Sequence, residues 1–247
     1  MIFVTGDCHG RYERLDSRHF TEQEEMDRQD YVIVCGDFGY WDRSAEQEYW
    51  LNWLERKDFT LLFVDGNHEN FDMLEELPMK EWNGGNVQFI RENVIRLMRG
   101  QMYQLQGKRF FTFGGAKSHD IQDGILKRED PNLREKVLRL EEAGARYRIE
   151  HLSWWKEELP SSEEMEAGFA CLTRHDWKCD YIITHCAPTS LQAAFSLGTY
   201  HPDILTDYLE EIQKRCQYRE WYFGHYHQNL RVDGKHQMLY EEILRIV

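Results

Sequence analysis

The sequence predicts an α/β fold with two sheet-bearing halves, on two observations. Short apolar runs stop at a glycine next to polar residues, with helix-patterned stretches between them, and the rhythm then changes near the middle to three strand-like runs in succession. The first runs are Ile2 to Thr5 before Gly6, Tyr31 to Cys35 before Gly36, and Thr60 to Val64 before Asp65 and Gly66. They are continuous rather than alternating, as in a sheet covered on both faces. Between them, Ala45 to Lys57 places Tyr49, Trp50, Trp53 and Leu54 on one helical face, with Ser44 as N-cap. This is the grammar of βαβ units.

The change of rhythm comes at Val94 to Met98, Met102 to Gln106 and Arg109 to Phe113, with Gln106-Gly107-Lys108 as turn material. A second sheet is expected to begin there. Residues 117 to 178 then turn helical and charged, with Arg134 to Glu142 and Ser162 to Arg174 flanking Trp154-Trp155. This stretch is expected to be an insertion or cap, with the two tryptophans packing it onto the sheets. Strand patterns return at Tyr181 to Thr184 and Glu220 to Phe223, around a helix from about Ile204 to Arg215. Leu230 to Val232 and Gln237 to Tyr240, joined across Asp233-Gly234, read as a hairpin. With no Gly/Ser or Pro-rich linker and no internal repeat, one domain over 1–247 is expected.

Composition narrows the function classes. The 247 residues carry 30 Lys+Arg against 44 Asp+Glu, a formal net charge of −14, yet 41 % are hydrophobic and 14 % aromatic. That is ample for a core and excludes a disordered acidic chain. The charge disfavours gripping long nucleic acid, which relies on Lys and Arg neutralising phosphates. Six cysteines without CxxC spacing and no secretory signal predict reduced thiols and a cytoplasmic protein. No apolar run approaches the ~18 residues of a membrane span.

The chemistry sits after the strands. Gly6-Asp7-Cys8-His9-Gly10 follows the first; Asp7 and His9 are two apart and would share a face if the backbone there is extended. Gly36-Asp37 follows the second, Gly66-Asn67-His68-Glu69 the third, Thr184-His185-Cys186-Ala187-Pro188 a later one, and Gly224-His225-Tyr226-His227 the run Trp221-Tyr222-Phe223. Each motif alone is weak, and each has an ordinary reading as a cap or loop. Together they fall where an open α/β sheet binds its ligands, outside the carboxyl ends of the strands. Carboxylates with imidazoles are the materials of divalent-metal sites. His19, His151, His175, His201 and His236 have no such motif around them and are expected to be ordinary core or surface histidines.

Read in order, GDCHG, GD, GNHE, THCAP and GHYH resemble the calcineurin-like metallophosphoesterase family, whose signature is D-x-H, GD, GNH[DE], H and GHxH. The resemblance runs from Asp7 to His227. It implies a four-layer αββα sandwich of two mixed β-sheets and two divalent metal ions drawn from Mn, Fe, Zn or Co. It assigns Asp7, His9, Asp37 and His227 to the first metal and the shared Asp37 with Asn67, His185 and His225 to the second. It further implies that a hydroxide between the metals attacks phosphorus in line, and that His68 protonates the leaving oxygen.

Features outside the shared motif bear on the substrate. The serine/threonine phosphatase branch carries GDxxDRG, whereas here Asp42 and Arg43 stand two residues too late for that pattern, and THCAP looks more like the phosphodiesterase-like members. More loosely, the stretch from Met98 to the His185 strand resembles bacterial and prophage-type members. A phosphodiesterase acting on small or nucleotide-like phosphoesters is therefore expected, with no membrane or nucleic-acid polymer as partner. The alternatives are a phosphoprotein phosphatase and a non-catalytic scaffold of the same fold. Lys117 or His119, in the loop Gly114 to Asp120, is a candidate phosphate contact, against the reading of a solvated loop.

Overall fold

The computed structural model describes residues 1–247. The first part of the chain forms β1 (Ile2–Thr5), β2 (Tyr31–Val34), α1 (Ala45–Glu55), β3 (Thr60–Phe63), α2 (Phe71–Glu75), β4 (Met79–Trp82), β5 (Gly85–Arg91) and β6 (Val94–Leu97). There follow β7 (Gln101–Leu105), β8 (Lys108–Phe113), β9 (Ile125–Leu126), α3 (Leu133–Glu142), β10 (Arg148–Ile149) and α4 (Ser162–Arg174). The chain ends with β11 (Tyr181–Thr184), α5 (Thr189–Ser196), α6 (Ile204–Arg215), β12 (Glu220–Phe223), β13 (Leu230–Arg231), β14 (His236–Met238) and β15 (Ile243–Arg245).

Two mixed sheets result, of order β15-β1-β2-β3-β6-β5-β4 and β13-β14-β12-β11-β8-β7. In each, four parallel strands form the middle and antiparallel strands close the edges. Side-chain alternation along the strands sorts the apolar residues into layers. Ile2, Val4, Ile33, Leu62 and Val64 of the first sheet meet Phe110, Tyr181, Ile183 and Tyr222 of the second in a core between the sheets. The opposite faces turn outward, Phe3, Val32, Val34 and Phe63 to α1, and Phe111, Phe113, Ile182, Trp221 and Phe223 to α4, α5 and α6. This is the αββα sandwich. Because every central strand is covered on both faces, its sequence has no polar alternation. No helix is long and apolar enough to cross a membrane.

Three expectations need correction. The second sheet begins at β7, not at Val94, since β6 pairs with β3 in the first sheet. The β4–β5 hairpin, α5 and β15 were not anticipated: β4 is exposed and mixed in character, α5 follows a proline, and the short β15 gains its place only by pairing with β1. The stretch 117–178 is not uniformly a helical cap. It contains the two-stranded β9–β10 ribbon and the solvent-facing α3, while α4 lies in the outer layer of the second sheet through Cys171 and Leu172. Trp155 is buried beside α2, as expected of a packing residue.

One buried ion cluster ties the layers together. Asp65, just past β3, accepts from Arg96 Nη2 at 2.8 Å and Arg99 Nη2 at 2.6 Å. Arg99 also donates to the Glu157 carbonyl at 2.7 Å and to Glu164 at 3.2 Å, while the Asp65 carbonyl accepts from Gly115 N at 2.7 Å. Burial acts to raise the Asp65 pKa, but Arg99 and then Arg96 outweigh it and bring it to about 2. A carboxylate held so low contributes stability that is complete above its unfolded value of ~3.9 and is lost as pH falls through the folded value. Asp65→Asn leaves the buried Arg96 guanidinium without an anion and Arg99 with only the partly exposed Glu164. We predict a loss of ~3–5 kcal/mol in urea unfolding at neutral pH. The gap from the parent chain should narrow by roughly 2–3 kcal/mol as pH is taken from about 5 to about 2; a gap independent of pH would refute this reading of Asp65.

Candidate metal centre

The carboxyl ends of β1, β2, β3, β11 and β12 bring the five motifs together. Their glycines clear the space: a Cβ at Gly36 would fall 2.1 Å from His185 Nδ1, at Gly66 1.9 Å from Asp37 Oδ1, and at Gly224 2.1 Å from Asp7 Oδ1. Each glycine thus makes room for the working side chain of a different motif. The residues after them are bent sharply, His9, Asp37, His225 and His227 all having positive φ (49°, 45°, 71° and 51°). Non-glycine residues enter this region seldom and at a cost, which is characteristic of functional turns.

Two groups of potential metal ligands result. Asp7, His9 and His227 form one, and Asp7, Asp37 and His185 the other. In the first, His227 Nε2 lies 3.2 Å from Asp7 Oδ2 and 3.0 Å from His9 Nε2. In the second, His185 Nε2 lies 3.3 Å from Asp37 Oδ1 and 3.2 Å from Asn67 Oδ1. Asp37 also faces His9 Nε2 at 3.8 Å, so its carboxylate looks toward both groups. His225 stands beside His185, ring centroids 4.9 Å apart, with its Nε2 2.7 Å from His119 Nε2.

These residues fit divalent cations. Asp7 and Asp37 are buried, and no Lys or Arg pairs with either carboxylate, whose ionic partners are imidazoles; Arg14 donates only to the Asp7 backbone carbonyl, at 2.8 Å. Burial works to lower the His185 pKa, but Asp37, then Asp7 and the Cys35 carbonyl, lift it to about 9. The cluster therefore attracts positive charge to the position between its carboxylates. His185 Nδ1 donates to the Cys35 carbonyl at 2.9 Å, which leaves Nε2 directed into the site, the arrangement usual for ligating histidines.

His68 is the candidate acid. Its backbone N donates to Asp37 Oδ1 at 2.8 Å and its carbonyl accepts from Trp41 Nε1 at 2.7 Å, while its ring lies 5.4 Å from that of His9. Of the loop contacts, His119 lines the pocket against His225, but Lys117 does not line it. Arg43 is exposed and pairs with Glu76. His19, His151, His175, His201 and His236 lie outside both ligand groups, as do His119 and the motif residues His68 and His225.

Sequence reasoning missed the supports. Glu69 is fully buried and accepts from the backbone N of Phe38 at 2.7 Å and of Tyr40 at 2.8 Å, pinning the loop that follows Asp37. Burial and then Asp37 push its carboxyl up to about 8. Its place in GNHE was the available signal. Tyr240 stacks on His227 at 4.7 Å, and nothing in its local sequence announces this.

Two cavities border the centre. A pocket of about 250 Å³ is walled by Asp37, Asn67, His68 and His225 together with His119, Arg146 and Tyr200. Asp7, His9 and Trp41 also line a cleft of about 1070 Å³, whose charged lining includes Glu13, Glu22, Asp42, Glu46 and Glu241 against Arg11 and Arg14.

Comparison with known proteins shows the family. The profile of the calcineurin-like phosphoesterases matches residues 1–229. Lariat debranching enzyme A of Xenopus laevis is 26 % identical over 144 residues, covering 51 % of this chain and 26 % of its own length. The lariat debranching enzyme of Danio rerio is 23 % identical over 252 residues, covering 92 % of this chain and 40 % of its own. That of Drosophila pseudoobscura pseudoobscura is 24 % identical over 247 residues, again covering 92 % of this chain but 42 % of its own. The chain thus spans less than half the length of these relatives. With the fold, the ordered motifs and the family profile in agreement, the chain belongs to the calcineurin-like phosphoesterase family.

Proposed function

We propose that this chain, acting as one domain, is a two-metal phosphodiesterase for small or nucleotide-like substrates. The observation that supports the reading is that Asp7, His9 and His227, and Asp7, Asp37 and His185, close into two groups of potential ligands around buried carboxylates with no Lys or Arg partner, with Asn67 Oδ1 3.2 Å from His185 Nε2. Asp7, Asp37, His9 and His227 would hold one divalent ion, and Asp37, Asn67, His185 and His225 the other. Bound there, such ions act as Lewis acids on phosphoryl oxygens and bring the pKa of water from 15.7 toward ~7. The mixed N/O donors suit Mn, Fe, Zn or Co.

The chain's own residues do the rest. Asp37 holds the His68 backbone, and Trp41 fixes the adjacent carbonyl, so the imidazole is carried at the mouth of the site. There it delivers its proton to the departing oxygen as the P–O bond breaks, and the products are an alcohol and a phosphomonoester. The two cavities bordering the centre leave room for two organic arms, which a diester has and a monoester lacks. Arg43, tied to Glu76 at the surface, supplies no phosphate clamp of the phosphatase kind. The acidic lining of the larger cleft favours an arm without further phosphates. That the relatives are named as debranching enzymes supports an enzyme over a scaffold role.

The test is hydrolysis of bis-p-nitrophenyl phosphate and p-nitrophenyl phosphate by metal-stripped protein with and without added Mn²⁺. Metal-dependent turnover, higher for the diester, is expected; folded, metal-loaded protein that cleaves neither would overturn the reading. His68→Ala is expected to retain its metals and to slow turnover ~10²–10⁴-fold for alkyl leaving groups, which need a proton, and much less for p-nitrophenolate. Equal slowing across leaving groups would exclude the acid role.

A further inference from the structure

The segment 117–178 reaches the centre from behind as well as at its mouth. Asn67 Nδ2 donates to Ser118 Oγ at 3.4 Å, Ser118 Oγ donates to Glu158 Oε2 at 2.5 Å, and Ser118 N donates to Glu158 Oε1 at 3.0 Å. All three residues are buried, and Glu158 has no cation paired with its carboxylate. Its position is nonetheless tightly set. Arg99 donates to the carbonyls of Glu157 and Glu158, and a Cβ at Gly115 would fall 2.5 Å from the Glu158 carbonyl oxygen. The chain has kept that contact open.

The direction of these hydrogen bonds matters more than their number. An amide side chain has nearly the same shape either way round, and only its oxygen can ligate a cation. An ionised carboxylate accepts and never donates, so Glu158 takes both the N–H and the O–H of Ser118. With its single proton committed, the hydroxyl offers Asn67 only lone pairs. The Asn67 NH₂ must therefore face Ser118, and Oδ1 must face His185 Nε2, where it lies at 3.2 Å.

We propose that Ser118 and Glu158 are positioning residues that fix which end of the Asn67 amide is presented to the second metal position. This rests on the two-metal reading of the centre. It gives the inserted segment a role in the site, through Glu158, that its distance in sequence from every motif conceals.

The test is Mn²⁺ binding to the metal-stripped full chain by calorimetry. The work is done at about pH 8, above the value of about 7 to which burial lifts the Glu158 carboxyl against its Ser118 bonds. Glu158→Gln keeps the shape but must turn an NH₂ toward either the N–H or the O–H of Ser118, and so breaks the sequence of donors. Ser118→Ala removes the hydroxyl, and Ser118→Thr retains it. We expect Glu158→Gln and Ser118→Ala to weaken one of the two binding steps by ~10–100-fold, with the other step and the melting temperature of the metal-free protein little changed and Ser118→Thr close to the parent. Two unaltered steps in Glu158→Gln and Ser118→Ala would overturn the proposal. So would weakening of both steps alike in proportion to lost metal-free stability, since that is a structural effect. A parent chain that binds no divalent ion would overturn the two-metal reading itself, an outcome distinguishable from the other two.

Discussion

Two carboxylates, Asp7 and Asp37, are buried at the meeting of the sheets without a lysine or arginine, and the rest of the site is arranged around that excess charge. A unit charge ~4 Å away is worth ~4 kcal/mol at an effective dielectric near 20. The like charge of Glu69 is already relieved, its carboxyl being pushed up to about 8 by burial and Asp37. For the other two, relief comes from the imidazole of His185, lying between them, and from backbone N–H groups, His68 to Asp37 and His225 to Asp7. Asp65 is equally buried and makes the contrast plain, because two guanidinium groups neutralise it permanently. The fold builds one closed ionic cluster for stability and, a few residues away, one that still calls for cations.

Meeting that demand constrains the backbone. Asp7, Asp37 and His185 approach one another only because Gly36, Gly66 and Gly224 carry no side chains. Four of the residues that would ligate metal adopt left-handed backbone, each at a cost of order 1–3 kcal/mol. Such turns persist where the surroundings over-determine them. Here Glu69 grips the loop after Asp37, and the Asp7 carboxylate caps the turn at His225.

Much of this could be read from the sequence, and the reasons for success and failure are physical. Strands buried on both faces give unbroken apolar runs, so β1, β2, β3, β11 and β12 were legible together with the motifs at their ends. Helices with strong caps were legible as well: Ser161 and Asp203 each form a capping box at the starts expected for α4 and α6. The β4–β5 hairpin and β15 were not, since edge strands are specified by their partners more than by their own residues. Assignment of β6 to the second sheet failed because a run of strands does not record which sheet each joins. The motif residues carried their chemistry in plain view. Glu158, Tyr240 and Trp41 did not, because each acts through one contact with a residue distant in sequence.

Stability and site geometry meet at Arg99. With one nitrogen pair it neutralises Asp65, and from the same guanidinium it holds the backbone at Glu157 and Glu158. Asp65 in turn lies two residues before Asn67, and its carbonyl accepts from Gly115, three residues before Ser118. Both ends of the Asn67–Ser118–Glu158 chain are therefore anchored to a single buried ion cluster. A displacement there would move all three members together and preserve their mutual geometry, whereas a displacement of the segment around Glu157 and Glu158 alone is resisted by Arg99. That is why a segment as far along the chain as 117–178 can position an atom at the centre of the site: its position is referred to the same buried charge as the strand that carries Asn67.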